Sequence, residues 1–376
     1  MKFGALVIFI LFAPRLQSQD LGISIGSKQE LILTQSTCAD LLAQQTALCE
    51  WTKNLDPNFI IPKPKKCESV AKNKFRIVIS ECLPKFTKTN QQKRLWREGP
   101  NCWGTAMSLK ELTPTPRFMW PEELHYWMDG PLCRKLLPNE PKLPGDIINI
   151  YGPEKLTEEE KTAQDPGTEF WKLLYPNRSR AVSVDLGIGY TGYHKLLHSV
   201  TYVSDQLAFG KDSPSELDRF YFHSMNEVYG RPRKEEMECQ EDQNLSPHLR
   251  EYENLPRRIH GKKCSYFSLA YRCENIKNYF NSIVLDSHSQ ATLENIKTIH
   301  SLQMKLWPLV TDAKVTLKKD DITLMLELSN VTVMNARQKL QQPLNKDQEM
   351  LSTLEYFSAH ALRKSLQQSK LIPPEK

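Results

Sequence analysis

Hydrophobic and polar positions along the chain fall into three patterns. The first is an unbroken apolar run, Phe3 to Pro14, behind a single basic residue, Lys2. The second is a set of short strand-like runs: Phe75–Ile79, Asp146–Ile150 (DIINI), His198–Val203 (HSVTYV), Leu207–Gly210 and Arg219–His223. The third is helical spacing. Cys38–Thr52 reads as a helix; Leu293, Ile296, Ile299, Leu302 and Leu306 predict another; Leu351, Leu354, Phe357 and Leu362 predict a third, with Asn345 as its N-cap. Short helices are expected after Cys102 and after Pro121, where a proline at the first helical position precedes Glu122 and Glu123. Ile322 to Val333, between the last two long helices, reads as a strand.

The opening run, followed by the small residue Ser18, has the order of a cleavable secretory signal peptide over residues 1–18. It is shorter than the roughly 20 residues that span a bilayer. The other long uncharged stretch, Ile322 to Met334, is broken by Glu327 and Asn330. The mature chain is therefore expected to be exported to the periplasm or beyond, with no membrane span. Its remaining length exceeds one typical domain. Composition divides it into a cysteine-rich segment (19–95), a region of tryptophans, turns and strands (96–230), and a partly helical C-terminal region (231–376).

Charge adds little. The chain carries +6, or +4 once Lys2 and Arg15 leave with the leader, with both signs interspersed. That does not mark a nucleic-acid binder. The nine cysteines say more, because an oxidising compartment should pair most of them and an odd count leaves one over. Four of them, Cys38, Cys49, Cys67 and Cys82, are enough for two bridges within one small region, and the pairing stays open. No CxxC or HExxH spacing occurs, so neither a metal nor a cofactor is expected. Gly187–Gly192 matches GxGxxG, but another strand follows where a dinucleotide fold needs a helix, so it reads as a turn. Asn177-Arg178-Ser179 is a glycosylation acceptor only in a glycosylating host.

Cys102 stands apart. Gly99-Pro100-Asn101 cannot be helical at its start, whereas Thr105 to Leu112 contains good helix formers, which puts Cys102 in a first helical turn. Free N–H groups and the helix dipole would lower its pKa there and help form an oxyanion hole. A paired structural cysteine is the plain alternative. Two downstream motifs favour chemistry: Leu143-Pro144-Gly145-Asp146 turning into a buried strand, and His198 opening an alternating one.

The ordered trio of helix-borne Cys, PGD-strand and His-strand resembles the NlpC family of cell-wall cysteine peptidases, and is similar to the related cysteine- and histidine-dependent amidohydrolases. The resemblance covers residues 96–230. It implies an α+β fold with a papain-like core, in which the Cys helix packs on an antiparallel sheet. It further implies Cys102 as nucleophile, His198 as general base, a structural Gly145-Asp146 turn, and peptidoglycan stem peptides or another peptide as substrate. The sequence departs from the family at several points. Cys102 and His198 are 96 residues apart, so Tyr151–Leu197 is expected to be a surface excursion near the cleft. Asn101 precedes the nucleophile, and Trp103 stands where a small residue is common. The third polar residue should fall at Gly210, beside Lys211, and neither can take a proton from imidazole. Asp205, Asp212 and His223 are the substitutes at hand. With Cys102 catalytic and reduced, eight cysteines remain for disulfides. The rival expectation is a catalytically decayed wall-binding or interaction protein that keeps the fold; a second keeps the chemistry on a different acceptor.

Overall fold

The computed structural model describes residues 22–25, 31–90, 95–130, 132–137, 139–153, 169–170, 173, 194–225, 228, 267–283 and 285–372. The expected signal peptide at residues 1–18, Asn177, Gly187–Gly192, Cys239 and Cys264 lie outside the described residues. The fold is α+β, with two antiparallel sheets and eight helices among the described residues.

The N-terminal layer consists of β1 (Gly22–Ile25), β2 (Leu31–Gln35), α1 (Cys38–Leu55), β3 (Glu68–Ala71) and β4 (Lys74–Val78), its strands ordered β1-β2-β4-β3. Thr37 caps α1 by accepting from the Asp40 N–H. Two disulfides staple α1 to its surroundings: Cys38–Cys67 ahead of β3, and Cys49–Cys82 after β4. A short helix, α2 (Lys85–Asn90), follows.

The second sheet has six strands: β5 (Cys133–Lys135), β6 (Ile147–Pro153), β7 (His194–Ser204), β8 (Leu207–Gly210), β9 (Tyr221–Ser224) and β10 (Phe267–Cys273). Their order is β5-β10-β6-β7-β8-β9. The Cys133–Cys273 disulfide joins the directly opposed residues of β5 and β10. Side chains alternate across β7, so His198, Val200 and Tyr202 share one face and Ser199, Thr201 and Val203 the other. Helix α3 (Cys102–Ser108) packs on β7 and β8, and α4 (Pro121–Asp129) starts with its proline at the first turn. The layers share cores: Trp51 of α1 packs against Phe209 and Phe222 of the second sheet, and Phe86 of α2 packs edge-on to Phe209 and Phe220.

The C-terminal region is helical: α5 (Ile276–Ser282), α6 (Ser287–Thr311), α7 (Lys319–Leu340) and α8 (Lys346–Gln368). Asn345 caps α8 in a reciprocal capping box with Gln348. The strand expected at Ile322–Val333 is instead the middle of α7. Its buried positions, Met325, Ser329, Thr332, Ala336 and Leu340, follow helical spacing with small and polar residues, so an apolar count misses them.

Two further expectations change. His198 lies mid-strand, because β7 starts at His194. The Tyr151–Leu197 excursion is shorter than expected, since β6 runs to Pro153, and it is not purely superficial. Its Phe170 is fully buried among Tyr126, Tyr356 and Phe357, with centroids 4.6 Å apart for the Phe357 pair.

The bundle holds two half-buried histidines in the neutral form. Burial pushes both His300 and His360 down to about 3, with neighbouring arginines adding to the effect. Their folded pKa values lie below the unfolded one, so their stabilisation is present above pH ~6.5 and is lost as pH falls toward ~3. Urea unfolding should therefore show stability dropping steadily from pH 7 to 4, and a His300→Gln, His360→Gln double variant should flatten that drop. An unchanged pH slope in the double variant would contradict this assignment.

Candidate functional site

The site forms where β8 ends. Tyr202 exchanges hydrogen bonds with the segment entering β6, donating to Asp146 O at 2.8 Å while its own carbonyl accepts from Gly145 N at 2.8 Å. Alternation then turns the N–H groups of Ser199 and Thr201 toward β8. Thr201 finds Phe209 opposite it, but β8 stops at Gly210, one residue short of facing Ser199. The Ser199 N–H is directed instead at the Cys102 sulfur, as are the backbone N–H groups of Cys102 and Trp103. Cys102 is the one free cysteine among the described residues.

Asn101, a departure from the family pattern, has a structural job. Its Oδ1 accepts from Gly104 N at 3.0 Å and from Met119 N at 3.2 Å, and its Nδ2 donates to Met119 O at 2.8 Å. It caps α3 and ties it to the 116–120 segment. A Cβ at Gly104 would sit 1.7 Å from the Arg117 carbonyl oxygen, so only glycine lets that segment approach. Arg117 is held by a buried ion pair with Glu123. On the bundle side, Trp96 N donates to Val310 O at 2.8 Å and Arg97 to Ser369 O at 3.2 Å, bracing the chain that leads into Cys102.

His198 lies beside this arrangement on β7, partly exposed. Its Nε2 is 3.9 Å from Asp212 Oδ1. Asp212 follows β8 by two residues, and its other oxygen accepts from the Tyr221 hydroxyl at 2.5 Å. The same Oδ1 lies 3.9 Å from Nε2 of His223, which is fully buried on β9. The structure thus puts an acidic partner near His198, though not where register alone put it. Gly210 cannot serve: a side chain there would meet the His223 ring and Val200, each 3.3 Å from its Cβ. Asp205 is engaged elsewhere, accepting from the Tyr202 hydroxyl at 2.6 Å.

The loop carrying Asp212 is clamped. Lys211, fully buried, donates to the Ser213 carbonyl and to Ser215 O at 2.9 Å, and Ser213 Oγ bonds Asp218. Burial pushes the Lys211 pKa down to about 8 against the pull of nearby acids. Gly99 N donates to Pro214 O at 2.8 Å, so the Asp212 loop and the chain leading into Cys102 move together. Beneath α3, Ser199 Oγ donates to Asn149 Oδ1 at 2.5 Å, both residues fully buried. The Gly145-Asp146 turn holds an ion pair, with Asp146 accepting from Arg272 at 2.9 and 3.0 Å. Neither Asn149 nor Lys211 carries a sequence signal for these roles, which depend on strand pairing.

Electrostatically the thiol differs from the sequence expectation. Cys102 is 4 % exposed, and burial pushes its pKa up to about 12; the three N–H groups oppose this, and the Asp212 charge adds to it. Burial outweighs the helix start, so the resting sulfur is a neutral thiol. No protein-family model, curated protein or solved structure matches the chain. The described disulfides are consistent with an exported protein, and no described helix is long and apolar enough to cross a membrane.

At pH 7 in the folded protein, iodoacetamide should label Cys102 far more slowly than a free thiol of pKa about 8.5. Dissolving the protein in urea should remove the difference. Native labelling as fast as denatured labelling would contradict the buried, neutral thiol.

Proposed function

We propose that the chain is an exported cysteine hydrolase with a papain-like core of the NlpC type, cleaving peptide or amide bonds in peptidoglycan stems. The observation that carries this reading is a single cluster. A free cysteine in a first helical turn has its sulfur against the N–H of Ser199, and the adjacent His198 faces Asp212 at 3.9 Å.

Each group then has a role. His198 Nε2 faces Asp212, which holds the ring and steadies the imidazolium, and Nδ1 takes the thiol proton. Because the sulfur is dry and neutral at rest, its proton leaves as substrate arrives and not before. The sulfur attacks the amide carbonyl carbon, and His198 returns the proton to the departing amine as the C–N bond breaks. Water, deprotonated by the same imidazole, then hydrolyses the thioester. The N–H groups of Cys102 and Trp103 solvate the charge as it forms.

The burial of Cys102 favours a second reading, a wall-binding protein with a silent site. Turnover separates the two. Cys102→Ser and His198→Ala should each abolish release of new amino groups from purified peptidoglycan, and the double variant should be little worse than either. Asp212→Asn should lower kcat by about 10²–10⁴ while retaining binding. If wild-type protein leaves peptidoglycan uncut at every pH and Cys102→Ser binds it equally well, the wall-binding reading stands.

A further inference from the structure

Three ligand-grade side chains from separate elements meet at the end of β8. One donor atom each of His198, Asp212 and His223 lies within 4.8 Å of the other two. Both imidazoles present Nε2 to one oxygen, Asp212 Oδ1, at 3.9 Å, with ring centroids 5.9 Å apart. Hydrolysis as proposed uses two of these groups. It gives no role to a second histidine, wholly buried, against the same carboxylate.

The spacing suits an interposed ion better than direct hydrogen bonds, which run at about 2.7–3.2 Å. With metal–ligand bonds of about 2.0–2.1 Å, two donors on one tetrahedral ion lie about 3.4 Å apart, so each 3.9 Å gap would close by about 0.5 Å on binding. We propose that His198, Asp212 and His223 bind a divalent transition ion of the zinc class, and that its binding turns off the cysteine chemistry.

The donor set favours this class. Two imidazoles and one carboxylate suit zinc or cobalt, whereas magnesium and calcium take oxygen shells. The outer shell is built as well. The Tyr221 hydroxyl fixes Asp212 Oδ2 at 2.5 Å, and its ring lies against His223 with centroids 3.9 Å apart. The exposed edge of Asp212 gives access for the ion and for water to complete its shell. No short motif announces the site, because its ligands are 14 and 11 residues apart on strands and a loop that only folding aligns.

The inhibitory half rests on the proposed hydrolysis and follows from the imidazole's two nitrogens. A metal on Nε2 of neutral His198 confines the ring proton to Nδ1. That nitrogen then has no lone pair for the Cys102 proton.

The test titrates the full mature chain, stripped with EDTA and dialysed, with zinc chloride by calorimetry and with cobalt chloride by visible absorption. The expected result is about one ion per chain with tetrahedral-type cobalt bands. Losing an outer-shell partner alone costs roughly 10–100-fold in affinity, so His223→Gln and Asp212→Asn should each cost at least that, with unchanged circular dichroism. Cys102→Ser should bind as wild type. Zinc should suppress peptidoglycan hydrolysis over the range that fills the site, and EDTA should restore it. Absence of binding, or equal binding by both ligand variants, overturns the site. Binding that needs His223 in a protein that never hydrolyses peptidoglycan upholds the site and defeats the cysteine reading. Full hydrolysis with the site filled overturns the inhibitory half.

Discussion

Strand β8 ends at Gly210, and the N–H of Ser199, which would have continued the ladder, meets the Cys102 sulfur instead. A buried N–H left unmet costs on the order of 1–3 kcal/mol, so this contact fixes where α3 can sit on the sheet. The rest of the site follows from it. Asn101 caps the helix and pins it to Met119, Gly104 admits the Arg117 backbone, and the Gly99–Pro214 hydrogen bond ties the helix approach to the loop that delivers Asp212. His198 is held by the sheet, Asp212 by the loop and Cys102 by the helix, and all three elements converge at one strand end.

Burial and reactivity pull against each other here. A dry setting raises the thiol's pKa to about 12, yet it also strengthens each dipole aimed at the sulfur. The arrangement keeps the Cys102 thiol neutral at rest, in a fold where three disulfides have formed among the described residues. Buried Lys211 is spent on loop carbonyls, so it stiffens the Asp212 loop and is not itself a base.

Much of the local structure was legible because it rests on short-range rules. Asn345 and Pro121 mark helix starts through capping and proline chemistry, and Leu207–Gly210 was visible as a strand. Cys102 was legible at a helix start, and it is the one free cysteine among the described residues. What could not be read depended on pairing or packing. The α7 seam of Ser329, Thr332 and Ala336 is too polar to register as apolar spacing, and its β-branched residues mimic a strand. An acid beside His198 was sought at Gly210 by register, with Asp205, Asp212 and His223 as substitutes; the chain leaves the sheet at Gly210, and only folding shows that Asp212, not Asp205, faces His198. The direction of the Cys102 shift was missed because burial is a property of the whole fold, whereas the helix start is local.

A covalent intermediate tests the central claim most directly. The wild-type protein would be mixed with purified peptidoglycan stem peptides, quenched in acid within the first turnover and weighed intact by mass spectrometry. The account predicts an acyl adduct that maps to the peptide containing Cys102, is labile to hydroxylamine and is absent from Cys102→Ser. Turnover with no adduct on Cys102, or with an adduct on another residue, would contradict it.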